Sequence, residues 1–137
     1  MAVNMRKVAI VGCGRSGSAV SFSLMQSGLF SEMVLVDSLA KKAERVAHDL
    51  AYGISFVKPM NIYAGGYDDL ADAGIIVIAA GEPRLSTDSR MEFIRKNVNV
   101  LYMSGTVKSL LVPRGRSSCL NNGFLLNFFD KEYNSGK

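Results

Sequence analysis

Lys7-Val-Ala-Ile-Val-Gly-Cys-Gly-Arg-Ser-Gly17 decides the fold of this chain. Its first half is a short unbroken apolar run, which is what a strand covered on both faces requires. The run ends in Gly12-Cys13-Gly14-Arg15-Ser16-Gly17, a G-x-G-x-x-G spacing. Residues 16–27 then carry Val20, Phe22 and Leu24 ahead of Gly28, a residue suited to stopping a helix. In the order strand, glycine loop, helix, the first glycine can turn tightly and the second can admit a pyrophosphate to the backbone. The third lets helix and strand pack closely. The helix start then offers N–H groups and partial positive charge to phosphates.

Working outward, Glu32 to Asp37 is a second buried-strand pattern. Ala43, Val46, Ala47 and Leu50 make an apolar stripe on a helix over roughly 39–51 that Gly53 can end. Residues 61–64 form a weaker third strand and Ile75 to Ala80 a strong fourth. After a polar loop at 81–89, Met91, Ile94, Val98 and Leu101 recur at helical spacing, which predicts a helix from near Ser89. This alternation predicts the α/β class: one half of a Rossmann-type doubly wound parallel sheet, with its site at residues 12–17, 37–42, 65–67 and 80–90. Asp37 follows Gly17 by 20 residues. A carboxylate there can accept hydrogen bonds from the adenosine ribose hydroxyls and would repel a 2′-phosphate, so NAD is expected rather than NADP. The bland alternative is a glycine turn followed by a helix-capping aspartate. Arg15 is either a phosphate contact or a solvated loop cation, and Cys13 reads as a small neutral filler.

Composition narrows the partners. A chain of 137 residues that is 48% hydrophobic and 20% charged is expected to hold one core. Cys13 and Cys119 lack metal-ligand or disulfide-framework spacing, so no metal site and a reducing cytoplasm are expected. The net charge of +4 divides into 11 basic against 10 acidic residues up to residue 100, and 5 against 2 beyond it. No basic face for nucleic acid is therefore expected. No apolar run approaches the roughly 18 residues of a membrane span, and the N-terminus is too short for an export signal before the glycines.

Several longer stretches add specificity: Lys-Val-Ala-Ile-Val-Gly-Cys-Gly (7–14), Ser-Glu-Met-Val-Leu-Val-Asp (31–37), Lys-Lys-Ala-Glu (41–44), His-Asp-Leu-Ala-Tyr-Gly (48–53), Ile-Tyr-Ala-Gly-Gly-Tyr (62–67), Ala-Ala-Gly-Glu-Pro-Arg (79–84) and Arg-Lys-Asn-Val (95–98). Together they resemble the N-terminal half of the L-lactate/L-malate dehydrogenase family, most of all its bacterial lactate dehydrogenases, from Lys7 to about Asn99. The resemblance implies cofactor contacts at Gly12, Gly14, Ser16, Gly17, Asp37, Lys42, Tyr67, Gly81 and Glu82. Ser16 stands where the family usually has valine. The resemblance also implies a small 2-hydroxy or 2-keto acid substrate and, for the family, a homo-tetramer.

Arg84 and Arg90 are six residues apart, the interval between the family's specificity residue and its mobile-loop arginine. Arg90 would polarise the substrate carbonyl as its loop closes. Arg84 would read the substrate side chain, where arginine can pair with the second carboxylate of oxaloacetate, so malate stands beside lactate. Residues 84–90 replace the family's usual Lys-Pro-Gly after the specificity residue. The family's catalytic histidine, its aspartate partner and a carboxylate-gripping arginine belong to the second half of family chains and are not expected here, so this chain alone is expected to be inactive. His48 reads as a helix-surface residue rather than a catalyst.

The likeness lapses after Asn99. The expected division is a NAD-binding Rossmann domain over 1–100 and a divergent tail over 101–137, read as out of frame or truncated, with the fourth strand left as an open edge. Leu111-Val-Pro-Arg-Gly115 resembles a protease-site linker by coincidence, and Phe124 to Phe129 is apolar enough to form a strand. A stand-alone nucleotide-sensing module remains the alternative of a different class; it would have no need of Arg84 and Arg90.

Overall fold

A computed structural model of the chain describes residues 2–82, 85–87, 89–103, 118–121 and 124–125. Strand β1 (Asn4–Val11) leads through the glycine loop to helix α1 (Arg15–Ser27), followed by β2 (Glu32–Val36) and α2 (Ala40–Gly53). A 3-10 turn (Ile54–Phe56), β3 (Asn61–Ala64), a second 3-10 turn (Tyr67–Leu70) and β4 (Ala73–Ile78) come next. Helix α3 (Arg90–Met103) and two short strands, β5 (Ser118–Asn121) and β6 (Phe124–Leu125), complete the described elements. The sheet order is β3-β2-β1-β4-β5-β6. Strands β1 to β5 run parallel and β6 is antiparallel to β5.

The order reverses at β1. The chain winds outward from β1 to β3 and then crosses back to β4, so the carboxyl ends of β1 and β4 flank the switch point where ligands of such sheets sit. The apolar run of β1 serves both faces of the sheet. Val8 and Ile10 pack with Met33, Leu35, Met25, Ala43, Ala47 and Leu50, while Ala9 and Val11 pack with Val34, Val36, Leu70, Ile76 and Ile78. This two-sided burial explains the lack of polar alternation.

The helix faces differ in part from the sequence reading. In α1 the buried residues are Gly17, Ser21 and Met25, whereas Phe22 is 48% exposed. Glycine and serine let the helix lie close to the sheet, with Ser21 Oγ donating to the Gly17 carbonyl at 2.7 Å. Gly28 ends α1 at φ 65°, the left-handed stop expected of it. Gly53 instead closes α2 in right-handed geometry and hands over to the 3-10 turn. In α2 the stripe of Ala43, Ala47 and Leu50 is buried as read. Helix α3 begins where its spacing places it, yet Met91, Ile94 and Val98 are exposed and Asn97 is buried. Nor is β4 an open edge throughout, because β5 pairs with it at Val77 and Ile78.

At the opposite end of the sheet a charged cluster replaces apolar packing. Lys7 Nζ lies 2.7 Å from Asp72 and 3.2 Å from Glu32, and Tyr63 donates to Glu32 at 2.7 Å. Residues of β1, β2 and β3, with Asp72 just ahead of β4, are thereby joined at the amino ends of the strands.

Candidate functional site

The site is built where β1 ends. Gly12 has φ +100°, a conformation that L side chains rarely adopt, and a Cβ there would lie 2.5 Å from the Ala80 backbone nitrogen. Gly12 N–H donates to the Val36 carbonyl at 2.7 Å, and Ala79 N–H donates to the Val11 carbonyl at 2.7 Å. The loop is thus clamped between the carboxyl ends of β2 and β4. A Cβ on Gly17 would collide with the Gly12 carbonyl oxygen, so the third glycine allows the helix to start against the loop. Gly14 differs: a Cβ there meets nothing within 4 Å.

Helix α1 takes its first backbone hydrogen bond from Ser18 N–H to the Gly14 carbonyl, at 2.9 Å. The N–H groups of Arg15, Ser16 and Gly17 stand ahead of that bond at the positive end of the helix. Arg15 and Ser16 are exposed beside them. The open face at Gly14 fits an approaching phosphate group.

Asp37 follows β2, and its side chain is 9% exposed. Oδ2 accepts from Cys13 N–H at 2.8 Å, and Oδ1 accepts from Leu39 N–H at 3.0 Å, just ahead of α2. Asp37 thus closes a local turn onto Leu39 rather than capping α2, whose N-cap carries no side-chain hydrogen bond. Oδ1 also accepts from Ser38 Oγ at 3.4 Å, while Oδ2 keeps lone-pair capacity for another donor. Lys42 Nζ stands 4.0 Å from Oδ2 on the first turn of α2. Ser38, Leu39, Ala40, Lys41, Lys42 and Arg45 line a groove of about 470 Å³ at the start of α2. Cys13 is buried as a free thiol whose pKa is pushed up to about 11 by burial and then by the Asp37 charge, with Lys42 acting weakly against them. A neutral thiol of this kind fills space, as the sequence reading had it.

The remaining residues approach from the next strand ends. Tyr67 opens the 3-10 turn after β3 and is half-buried against the β-sheet face that carries Val11 and Val36. Gly81 and Glu82 leave β4 exposed, and Glu82 N–H donates to Asn97 Oδ1 at 3.0 Å. Arg90 is exposed as the first residue of α3, where Ser89 and Glu92 exchange two hydrogen bonds of 3.2 Å as a capping box. Gly12, Gly14, Ser16, Gly17, Asp37, Lys42, Tyr67, Gly81 and Glu82 thus all lie at the carboxyl-end side of the sheet. Arg84 lies outside the described residues, as does the 111–115 linker motif. His48 is exposed on α2, as expected of a helix-surface residue. Asn97 was not singled out by sequence, where it is one polar residue beside an apolar stripe. Among the described residues no group of three or more His, Cys, Asp or Glu is arranged to hold a metal ion, and no helix is long and apolar enough to cross a membrane.

Comparison with known proteins agrees with this geometry. Residues 6–113 match the family model described as lactate/malate dehydrogenase, NAD binding domain. An L-lactate dehydrogenase of Priestia megaterium is 42% identical over 95 residues, which are 69% of this chain and 30% of that protein. A lactate dehydrogenase from a Medee basin deep-sea metagenome library superposes with a TM-score of 0.73 at 31% identity, covering 89% of this chain and 38% of that one. The minor L-lactate dehydrogenase of Enterococcus mundtii gives 0.75 at 27% identity, covering 85% and 38%. The chain therefore spans about a third of the length of the relatives it matches. The cofactor implied is NAD, and the glycine loop and Asp37 fit it. This chain belongs to the lactate/malate dehydrogenase family and contains that family's NAD-binding domain.

Proposed function

We propose that the chain is the cofactor-holding half of an oxidoreductase of the L-lactate dehydrogenase type, which interconverts pyruvate and L-lactate. One observation carries this reading: the open backbone face at Gly14 adjoins the Asp37 carboxylate, and the two are linked through Cys13 N–H. The pyrophosphate would rest against the N–H groups that begin α1, with the Ser16 hydroxyl beside it. The adenosine ribose hydroxyls would donate to Asp37, and Lys42 would temper its charge. Tyr67, Gly81 and Glu82 would border the rest of the cofactor. NAD, when bound, supplies the hydride chemistry; the protein binds and orients it.

Arg90 is assigned to the substrate carbonyl and Arg84 to the substrate's far end. Arginine at residue 84 favours oxaloacetate as a second substrate, since its planar fork pairs with a carboxylate. Exposed His48 has no assigned proton-transfer role, and the chain alone is assigned cofactor binding without turnover. A cytoplasmic setting suits the free Cys13 thiol. Tetramer formation is assigned to the whole protein.

Titration of the chain with NADH, followed by the cofactor's own fluorescence, tests the reading. Saturable NADH binding at least about tenfold tighter than NADPH binding is expected, since a 2′-phosphate would face Asp37. Absence of binding, or preference for NADPH, would overturn it. Joined to the remaining part of an L-lactate dehydrogenase, the chain should turn over, and Arg90→Gln should then lower kcat more than NADH affinity. Arg84→Gln should move preference from oxaloacetate toward pyruvate.

A further inference from the structure

We infer that Asn97 is a positioning residue of the cofactor site, holding the backbone of the Gly81–Glu82 segment at the carboxyl end of β4. The inference rests on the cofactor reading above. Asn97 is 6% exposed, on a helix whose apolar residues Met91, Ile94 and Val98 face solvent. A buried carboxamide is costly unless both of its ends are bonded. Both are: Oδ1 accepts from Glu82 N–H at 3.0 Å, and Nδ2 donates to the Phe93 carbonyl at 2.9 Å.

The two bonds do different work. The bond to Phe93 is made within α3, one turn back, and fixes the side-chain rotamer so that Oδ1 faces the loop. The bond to Glu82 spans 15 residues of sequence. Glu82 is exposed, so water can satisfy its N–H if Asn97 is lost. The bond is thus dispensable for satisfying the backbone, and its contribution is to place it. The capping box of Ser89 and Glu92 secures the start of the same helix. The chain is therefore tied to α3 both where it leaves β4 and where it enters the helix.

Asn97→Leu separates positioning from mere structure, because it keeps the side-chain size and leaves the exposed Glu82 N–H free to turn to water, so little of the loss falls on folding. The variant should keep its unfolding midpoint and its amide-exchange protection in β1 at Ala9 and Ile10. Its Glu82 amide should exchange at least about tenfold faster, and its NADH dissociation constant should rise about fivefold, the loss expected of one hydrogen bond. If Leu disrupts the fold, Asn97→Ser, whose hydroxyl is too short to reach Glu82, should give the same pattern. The inference is overturned if Glu82 exchange and NADH affinity stay at wild-type values. It also fails if affinity falls only in step with β1 protection. A wild-type chain that binds no NADH would overturn the cofactor reading instead, while Glu82 exchange would still decide whether Asn97 anchors the loop.

Discussion

Replacing Lys7 by methionine should destabilise the domain by about 3 kcal/mol, the lower end of the range for removing one partner of a buried ion pair. The magnitude follows from the geometry. The Lys7 side chain is 5% exposed and its ammonium sits 2.7 Å from Asp72 and 3.2 Å from Glu32, whose side chains are 33% and 25% exposed. Methionine fills a similar volume but leaves both carboxylates facing an uncharged side chain. Their partial exposure lets water recover some of the loss, which excludes the upper end of the range. Against a total of roughly 5–15 kcal/mol for a domain, the loss is large.

The pH dependence has a definite sign. Burial alone would lower the Lys7 pKa, but hydrogen bonds with Asp72, Tyr63 and Glu32 outweigh it and hold the ammonium above its ordinary 10.5. Burial and the bond to Glu32 raise the Tyr63 pKa above its ordinary 10.0, with Lys7 opposing. For both groups the folded state keeps its proton longer than the unfolded one. Their contribution is full below about pH 10 and is lost as pH rises above it. Urea unfolding followed by circular dichroism at pH 7 and pH 11 measures both effects, and Lys7→Met should flatten the alkaline decline. A loss under about 0.5 kcal/mol at pH 7, the size of an ordinary surface substitution, would refute the reasoning.

The glycine loop gives a paired prediction. Gly14→Ala should fold normally, since its methyl meets nothing within 4 Å, yet weaken NADH binding about tenfold or more by occupying the phosphate's approach. Gly17→Ala should lower the unfolding midpoint in urea, because its methyl strikes the Gly12 carbonyl. Asp37→Asn should narrow the preference for NADH over NADPH in parallel titrations by removing the charge that repels a 2′-phosphate. Cys13 should react with a thiol reagent at pH 8 only as fast as the domain opens, given its burial and a pKa pushed up to about 11. Rapid stoichiometric labelling of Cys13 in the folded protein, located by peptide mapping apart from Cys119, would contradict that.

How much of this was legible in the sequence depended on the range of the interaction. The strand and helix order was readable because runs such as Val8 to Val11 and Met33 to Val36 are buried on both sides and therefore uniformly apolar. The glycines and Asp37 were readable because their spacing is local. Lys7 was not, since a lysine before an apolar run reads as a strand end, and its partner Asp72 lies 65 residues away. In α1 Val20 and Leu24 do pack against the core, but Phe22 is exposed and the buried Gly17 and Ser21, small residues that permit close packing, carry no hydrophobic signal. Helix α3 repeats the lesson: spacing located it, but over residues 90–100 its buried side chain is the polar Asn97.

A crystal structure of the chain grown with NADH tests the central claim most directly. The account predicts the pyrophosphate against the N–H groups of Gly14 to Gly17 and the adenosine ribose hydroxyls within about 3 Å of the Asp37 carboxylate, hydrogen-bond range. A cofactor bound elsewhere, or one whose ribose hydroxyls turn away from Asp37, would contradict it.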